Sequence, residues 1–198
     1  MAQKKVEEQD PWFSALRPRV ESTLFESRQI FLYGEITQAV ARTVTQNLVA
    51  LATISSEPIT LFVNSQGGHV EAGDTIHDMI RFVDARVKIV GTGWVASAGA
   101  HIYLAPPRTD RFCLPNTRFM LHQPHGGVWG QAVDIGIEAQ EIVKMRQRLN
   151  QTIARQTGQP IEKVEKDTDR NFWMSAEEAR EYGIVGTVLH SAKELEKG

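Results

Sequence analysis

The chain has one cysteine, Cys113, in 198 residues, and it also lacks long apolar runs and a strong net charge. A single cysteine cannot form an intrachain disulfide, which favours a reducing compartment, so we expect a cytoplasmic protein. No segment approaches the roughly 20 apolar residues that cross a bilayer, and residues 1–10 lack the apolar centre of a signal peptide, so no membrane partner is expected. The net charge of −2 gives no indication of nucleic-acid binding. No histidines or cysteines have the spacing of metal ligands, so we expect no metal or other cofactor.

The rest of the sequence alternates between predicted strands and helices, which indicates an α/β fold. Its length is typical of one domain, residues 1–198, and the polar residues 1–10 are predicted to form a disordered tail. Apolar residues at helical spacing, such as Ile76 and Ile80, are separated by short β-rich runs, and Thr37 is predicted to cap the first of the helices. The predicted strands are 29–33, which Gly34 closes, 59–63 and 86–90.

Ser97 lies in the run 93–100, where alanines and a glycine flank it directly, and this run follows an apolar, β-rich stretch. At the start of a helix, backbone N–H groups and the positive end of the helix dipole stabilise an oxyanion, so Ser97 is a candidate nucleophile. The run is not a G-x-S-x-G elbow, because Val95 stands where that motif has glycine. Serine is also a common N-cap residue. This stretch alone leaves nucleophile and cap as open alternatives.

Two other segments offer groups that could complete a site around Ser97. The predicted strand 59–63 is followed by Gly67 and Gly68, and a glycine pair between a strand and a helix lets N–H groups face a ligand. His122 ends another short strand, and the polar run 166–173 offers side chains that could orient its ring. Taken singly, these features are an ordinary turn, a surface histidine and a solvated charged segment. Their combination indicates a catalytic site.

In this order and spacing, the motifs resemble the ClpP family, the proteolytic subunits of the Clp protease, over about residues 28–190. The matching motifs are N-S-x-G-G at 64–68, G-x-x-A-S-x-G-A at 93–100, R-F-C-L-P-N-x-R-x-M-x-H-Q-P at 111–124 and G-Q-A-x-D-I at 130–135. The resemblance implies a spiral ββα fold that the family shares with the crotonases, whereas the sequence pattern alone gives only α/β. It also implies a serine endopeptidase.

The resemblance assigns a role to each residue of the site. Ser97 is the implied nucleophile and His122 the general base, and the N–H groups of Gly68 and Ala98 form the implied oxyanion hole. The third triad position aligns with Asn171, where the common family pattern has aspartate. Asparagine can orient an imidazole through its oxygen but carries no charge to stabilise an imidazolium. We therefore expect a peptidase that is weaker than a Ser-His-Asp homologue.

Two acidic residues close to Asn171 are alternatives for the third position. Asp167 and Asp169 both lie in the polar run and could reach the histidine. In the resembled family, however, the Asp-Arg pair before the triad position makes contacts between rings. The resemblance therefore favours assembly over catalysis for Asp169 and Arg170.

A long amphipathic helix is predicted from about residue 131 to 156, longer than a compact domain of this size needs. In the resembled family this projecting helix is the handle, which interdigitates between two stacked rings. The implied assembly is two rings of seven subunits, made of this chain alone or mixed with a paralogue. The implied partners are an AAA+ ATPase of the Clp type and unfolded polypeptide substrates, which are degraded to short peptides.

Three functions from different classes follow from these features. The first is an ATP-dependent serine peptidase that works as a chamber. The second is a weakly active structural or regulatory subunit that assembles with a more active paralogue, which Asn171 and the atypical N-terminal region favour. The third is a crotonase-type acyl-CoA enzyme, which has an oxyanion hole but does not need the pair Ser97 and His122.

Overall fold

The computed structural model describes residues 11–124 and 130–195, which are organised around a mostly parallel sheet. The strands are β1 (Gln29–Ile36), β2 (Ile59–Gly68), β3 (Val87–Ala96), β4 (Arg111–Cys113), β5 (Arg118–Leu121), β6 (Phe172–Met174) and β7 (Thr187–Val188). They follow the order β1-β2-β3-β4-β7 with parallel pairing, while β5 pairs parallel with β3 and antiparallel with β6. This is an α/β fold, as the alternation in the sequence predicts.

Eight α-helices connect and flank the described strands. They are α1 (Pro11–Glu26), α2 (Gln38–Ile54), α3 (Val70–Phe82), α4 (Ala98–Tyr103), α5 (Ala132–Thr157), α6 (Ile161–Asp167), α7 (Ala176–Tyr182) and α8 (Ala192–Leu195). Thr37 caps α2 as predicted, because its hydroxyl accepts the N–H of Val40 at 3.2 Å. None of the described helices is long and apolar enough to cross a membrane.

The core lies between the sheet and the helices packed on it. Along β2, Ile59, Leu61 and Val63 are fully buried and alternate with partly exposed residues, as the two-residue period of a strand requires. The buried residues of α2 recur every three or four positions and form one face of that helix. Fully burying a valine, leucine or isoleucine side chain stabilises the fold by about 1.5–3 kcal/mol.

Three strands extend beyond their predicted ends, and the end of the first strand, which Gly34 was expected to close, is thereby corrected. β1 continues through Gly34 to Ile36, and β2 continues past Val63 to Gly68. The parallel pairing survives because the register shifts by a bulge between Tyr33 and Glu35, where Gly34 has a φ of +80°. β3 also runs on to Ala96, which places Ser97 at the end of the central strand.

The long helix α5 runs from Ala132 to Thr157, 26 residues and within one residue of the prediction. Most of its length is exposed, and its buried residues, Asn150, Thr152 and Ile153, lie near its C-terminal end. The helix ends at Gly158, which has the left-handed conformation common after helices. The predicted tail 1–10 and the glycine-rich segment 126–129 lie outside the described residues.

Candidate active site

Ser97 occupies a strained turn between the end of β3 and the start of α4. Its φ of +56° and ψ of −123° are rare for a residue with a side chain, and its N–H donates to the carbonyl of Met120 at 2.9 Å. Its side chain makes no capping hydrogen bond to the helix. The prediction that the hydroxyl caps the helix is therefore wrong, and the hydroxyl is available for other contacts.

The glycine pair that ends β2 packs against this turn. A Cβ on Gly67 would lie 2.6 Å from the Cβ and 3.0 Å from the Oγ of Ser97, and the φ of Gly67 is +101°. A Cβ on Gly68 would lie 2.3 Å from the carbonyl oxygen of Ile36. Ser65 holds the segment in place, since its Oγ donates to Gly34 at 2.6 Å and accepts the N–H of Gly67 at 3.0 Å. The glycines are needed because a backbone segment and the serine approach too closely for side chains.

His122 joins Ser97 to Asn171. Its Nε2 lies 2.8 Å from the Oγ of Ser97, and its Nδ1 lies 3.1 Å from the Oδ1 of Asn171. The antiparallel pairing of β5 with β6 matches Leu121 with Phe172, so the residues next to that pair, His122 and Asn171, are neighbours. Ser97 and His122 are partly buried, whereas Asn171 is exposed.

The two alternative acids make other contacts. The Oδ2 of Asp167 accepts hydrogen bonds from Lys163 at 2.6 Å and from the hydroxyl of Tyr182 at 2.9 Å. Asp169 accepts from Arg146 on α5 at 3.3 Å, and its carbonyl accepts from Gln123 at 2.8 Å. The oxygen that meets His122 belongs to Asn171 instead.

A cluster of charged and aromatic groups beside the site was missed by sequence reasoning. Asp74 and His77 on α3 contact His101 on α4, and Arg148 on α5 pairs with Asp74. The two imidazole rings stack with centroids 4.4 Å apart, and Arg148 donates two hydrogen bonds to Asp74 at 2.8 and 2.6 Å. The only signals in the sequence were Asp74 and His77 three residues apart on one helix, and His101 one turn after Ser97.

Burial and mutual contacts set the charges in this cluster. Burial raises the pKa of Asp74, but its contacts with His101 and Arg148 outweigh that effect and hold the pKa well below its ordinary value. Burial, helped by the neighbouring His101, lowers the pKa of His77 to about 4. At neutral pH, Asp74 is therefore ionised and His77 neutral. No group of His, Cys, Asp or Glu side chains within 11–124 and 130–195 is arranged to hold a metal ion.

Comparison with known proteins gives close relatives. A family model described as Clp protease matches residues 16–192. The ATP-dependent Clp protease proteolytic subunit 3 of Rhizobium etli is 57% identical to this chain over 180 residues. These residues are 91% of this chain and 93% of that protein. The ATP-dependent Clp protease proteolytic subunit 2 of Gluconobacter oxydans is 61% identical to this chain over 178 residues. These residues are 89% of this chain and 80% of that protein.

Solved structures agree with the sequence relatives. ClpP1 from Listeria monocytogenes is 53% identical to this chain and superposes on it with a TM-score of 0.81. The match covers 89% of this chain and 99% of the Listeria chain. An asparagine-to-aspartate mutant of that protein superposes with a TM-score of 0.84 at the same identity and coverage.

The parallel sheet, the serine–histidine contact and these relatives together define a serine-type endopeptidase. More particularly, the chain belongs to the Clp protease family, and its named relatives are proteolytic subunits.

The contact between Gly67 and Ser97 predicts that Gly67→Ala inactivates the site without unfolding the chain. The new Cβ would displace the serine, and a displacement of about 1 Å costs about a hundredfold in turnover. The measurement is peptidase turnover on a short fluorogenic peptide, with circular dichroism to check the fold. Gly34→Ala is the matched control, because Gly34 also has a positive φ but open space around it. Equal losses in the two variants would contradict the contact argument.

Proposed function

We propose that Ser97 is the nucleophile and His122 the general base of a peptidase site. The observation that carries this proposal is the 2.8 Å contact between Oγ and Nε2, a distance suited to proton transfer. With the ring proton on Nδ1, facing Asn171, Nε2 accepts the hydroxyl proton as Ser97 attacks a peptide carbonyl. His122 then gives the proton to the leaving amine, and water releases the acyl-enzyme by the same path.

The N–H groups of Gly68 and Ala98 form the proposed oxyanion hole. Ala98 is the first residue of α4, and the first N–H groups of a helix have no acceptor within it. Gly68 follows Gly67, where an added Cβ would collide with Ser97, so the end of β2 borders the proposed nucleophile. Loss of one such donor costs about 10²–10³-fold in turnover in other serine proteases.

Asn171 orients His122 but cannot compensate the charge that forms on the ring. In the serine-protease template, aspartate to asparagine costs about 10⁴-fold because the imidazole takes the wrong tautomer. Here the Oδ1 of Asn171 already faces Nδ1 at 3.1 Å, which supports the productive tautomer. Asn171 is also exposed, so water screens any charge placed there. We infer a weak peptidase rather than an inactive one.

The proposed assembly is two stacked rings of seven subunits that enclose the sites. Exposed apolar side chains along the first half of α5 support it, because such side chains mark a surface that another subunit covers. They are Val133, Ile135, Ile137 and Val143. Asp169 and Arg170 are the proposed contacts between rings, and the bond of Asp169 to Arg146 would connect them to α5.

The proposed substrates are unfolded polypeptides delivered by an AAA+ ATPase of the Clp type. The support is the family, since its named relatives are subunits of an ATP-dependent protease. A second candidate is a weakly active subunit that assembles with a more active paralogue. Asn171 favours it, and so does the numbering of the relatives as subunits 2 and 3. Purified particles made of this chain alone, assayed for turnover, would distinguish the two.

Substitutions of Asn171 test its proposed role. Asn171→Asp places a negative charge beside His122 and should raise turnover on short fluorogenic peptides by about tenfold, equivalent to about 1.4 kcal/mol of barrier. Asn171→Ala leaves the ring without an orienting oxygen and should lower turnover by at least about tenfold. Both variants must be compared with the parent in particles of equal assembly state.

Asn47→Ala on α2 is the control for loss of an asparagine elsewhere, and it should leave turnover unchanged. An Asn171→Ala variant with parental turnover in fully assembled particles would refute the triad assignment. If Asp167→Ala or Asp169→Ala were the severe change instead, that aspartate would be the third residue.

A charge reversal tests the proposed ring contact. Arg170→Glu should shift the double ring toward single rings and lower turnover with it, because the reversed charge repels its acidic partner in the opposite ring. Native mass spectrometry reports the ring state of the same sample that is assayed. Lys193→Glu, an exposed reversal on α8, is the control and should leave double rings intact. A stable monomer or dimer of the parent chain, with or without a paralogue, would contradict the proposed assembly.

A further inference from the structure

Two sets of hydrogen bonds hold His122 and Asn171 next to each other. The first is the antiparallel pairing of β5 with β6, which ends directly beside both residues. In the second, Gln123 donates its N–H to the carbonyl of Thr168 at 2.7 Å, and its Nε2 donates to the carbonyl of Asp169 at 2.8 Å. Gln123 directly follows the histidine, and Thr168 lies three residues before the asparagine. The separation of the two side chains is therefore set from both ends.

Thr168 fixes the second set of bonds to the core. It is fully buried and directly follows the last residue of α6. Its hydroxyl has one proton, which is shared between the Oδ1 of Asn150 at 3.0 Å and the carbonyl of Val164 at 2.8 Å. Asn150 is itself a buried residue of α5. Because a buried polar group that loses its partner is costly, these bonds hold Thr168 in one place.

The segment between Thr168 and β6 has no burial of its own to hold it. Residues 169–171 are all exposed, so core packing does not fix them. The contact of Asp169 with Arg146 is an exposed pair at 3.3 Å, which is too weak to fix the backbone. The position of Asn171 therefore depends on the start of β6 on one side and on Thr168 on the other.

We infer that Thr168 is a positioning residue for the proposed triad, on which this inference rests. Its buried hydroxyl fixes the carbonyl that binds Gln123, and this bond holds the amide of Asn171 against the imidazole. Thr168 is fully buried and therefore does not touch a substrate. Its loss should act on the chemical step, in which the ring must be oriented, rather than on substrate binding.

The test is a double-mutant cycle of Thr168→Val with Asn171→Ala, assayed on a short fluorogenic peptide with particles of equal assembly state. Valine has nearly the shape of threonine but lacks the hydroxyl. Thr168→Val alone should lower kcat by about tenfold and leave KM nearly unchanged, because a displaced amide no longer orients the ring.

The cycle compares the loss of kcat that Asn171→Ala causes in two chains. This loss should shrink from at least about tenfold in the parent to less than about twofold in the Thr168→Val chain, since the same orientation is already lost there. Each loss is a ratio between two chains that share the same residue 168. A fall in the folded fraction that Thr168→Val causes by itself therefore cancels.

Thr45→Val on α2 is the matched control. The hydroxyl of Thr45 likewise bonds to the carbonyl four residues before it, that of Ala41, at 2.8 Å. This variant should leave the loss caused by Asn171→Ala as large as in the parent. Thr168→Ser keeps the hydroxyl and should also keep that loss near the parental value. An undiminished loss in Thr168→Val, or an equal reduction in Thr45→Val, would overturn the inference.

The same cycle separates this inference from the function on which it rests. If Asn171→Ala does not change kcat in the parent chain, the proposed triad is wrong and the role of Thr168 is wrong with it. If Asn171→Ala lowers kcat equally in the parent and in the Thr168→Val chain, the triad stands and only the role of Thr168 is wrong.

Discussion

The position of Ser97, the proposed nucleophile, depends on its close contact with Gly67. Ser97 has a positive φ, and its side chain lies within 3.0 Å of the place where a Cβ of Gly67 would be. The glycine makes the contact possible, and the bond from the Ser97 N–H to Met120 holds the turn against β5. Because His122 follows the same strand, this one turn sets the serine–histidine distance.

Asn171, the proposed third residue, reaches the site through a different part of the sheet. β6 pairs antiparallel with β5, although most of the sheet is parallel, and this pairing brings Asn171 to the far side of the imidazole. The same segment carries Asp169, which bonds to Arg146 on α5. This contact joins α5 to the segment that carries Asn171.

The sequence was most informative where backbone geometry demands particular residues. The glycine pair, the small residues around Ser97 and the cap at Thr37 each have a local cause, and the α/β alternation follows from hydrophobic periodicity. The end of β1 was placed too early because a glycine in a strand, here Gly34, can mark a bulge as well as a stop. The contacts of Asp74 with His101 and Arg148 could not be foreseen, since they join three helices that are distant in sequence.

Covalent labelling tests the central claim most directly. A fluorophosphonate reacts with a serine that a neighbouring base activates, and peptide mapping identifies the modified residue whatever the turnover of the enzyme. On assembled particles of this chain, we expect label on Ser97 alone and none after Ser97→Ala. Label on another residue, or none on the assembled particle, would contradict the assignment of Ser97 and His122 as the reacting pair.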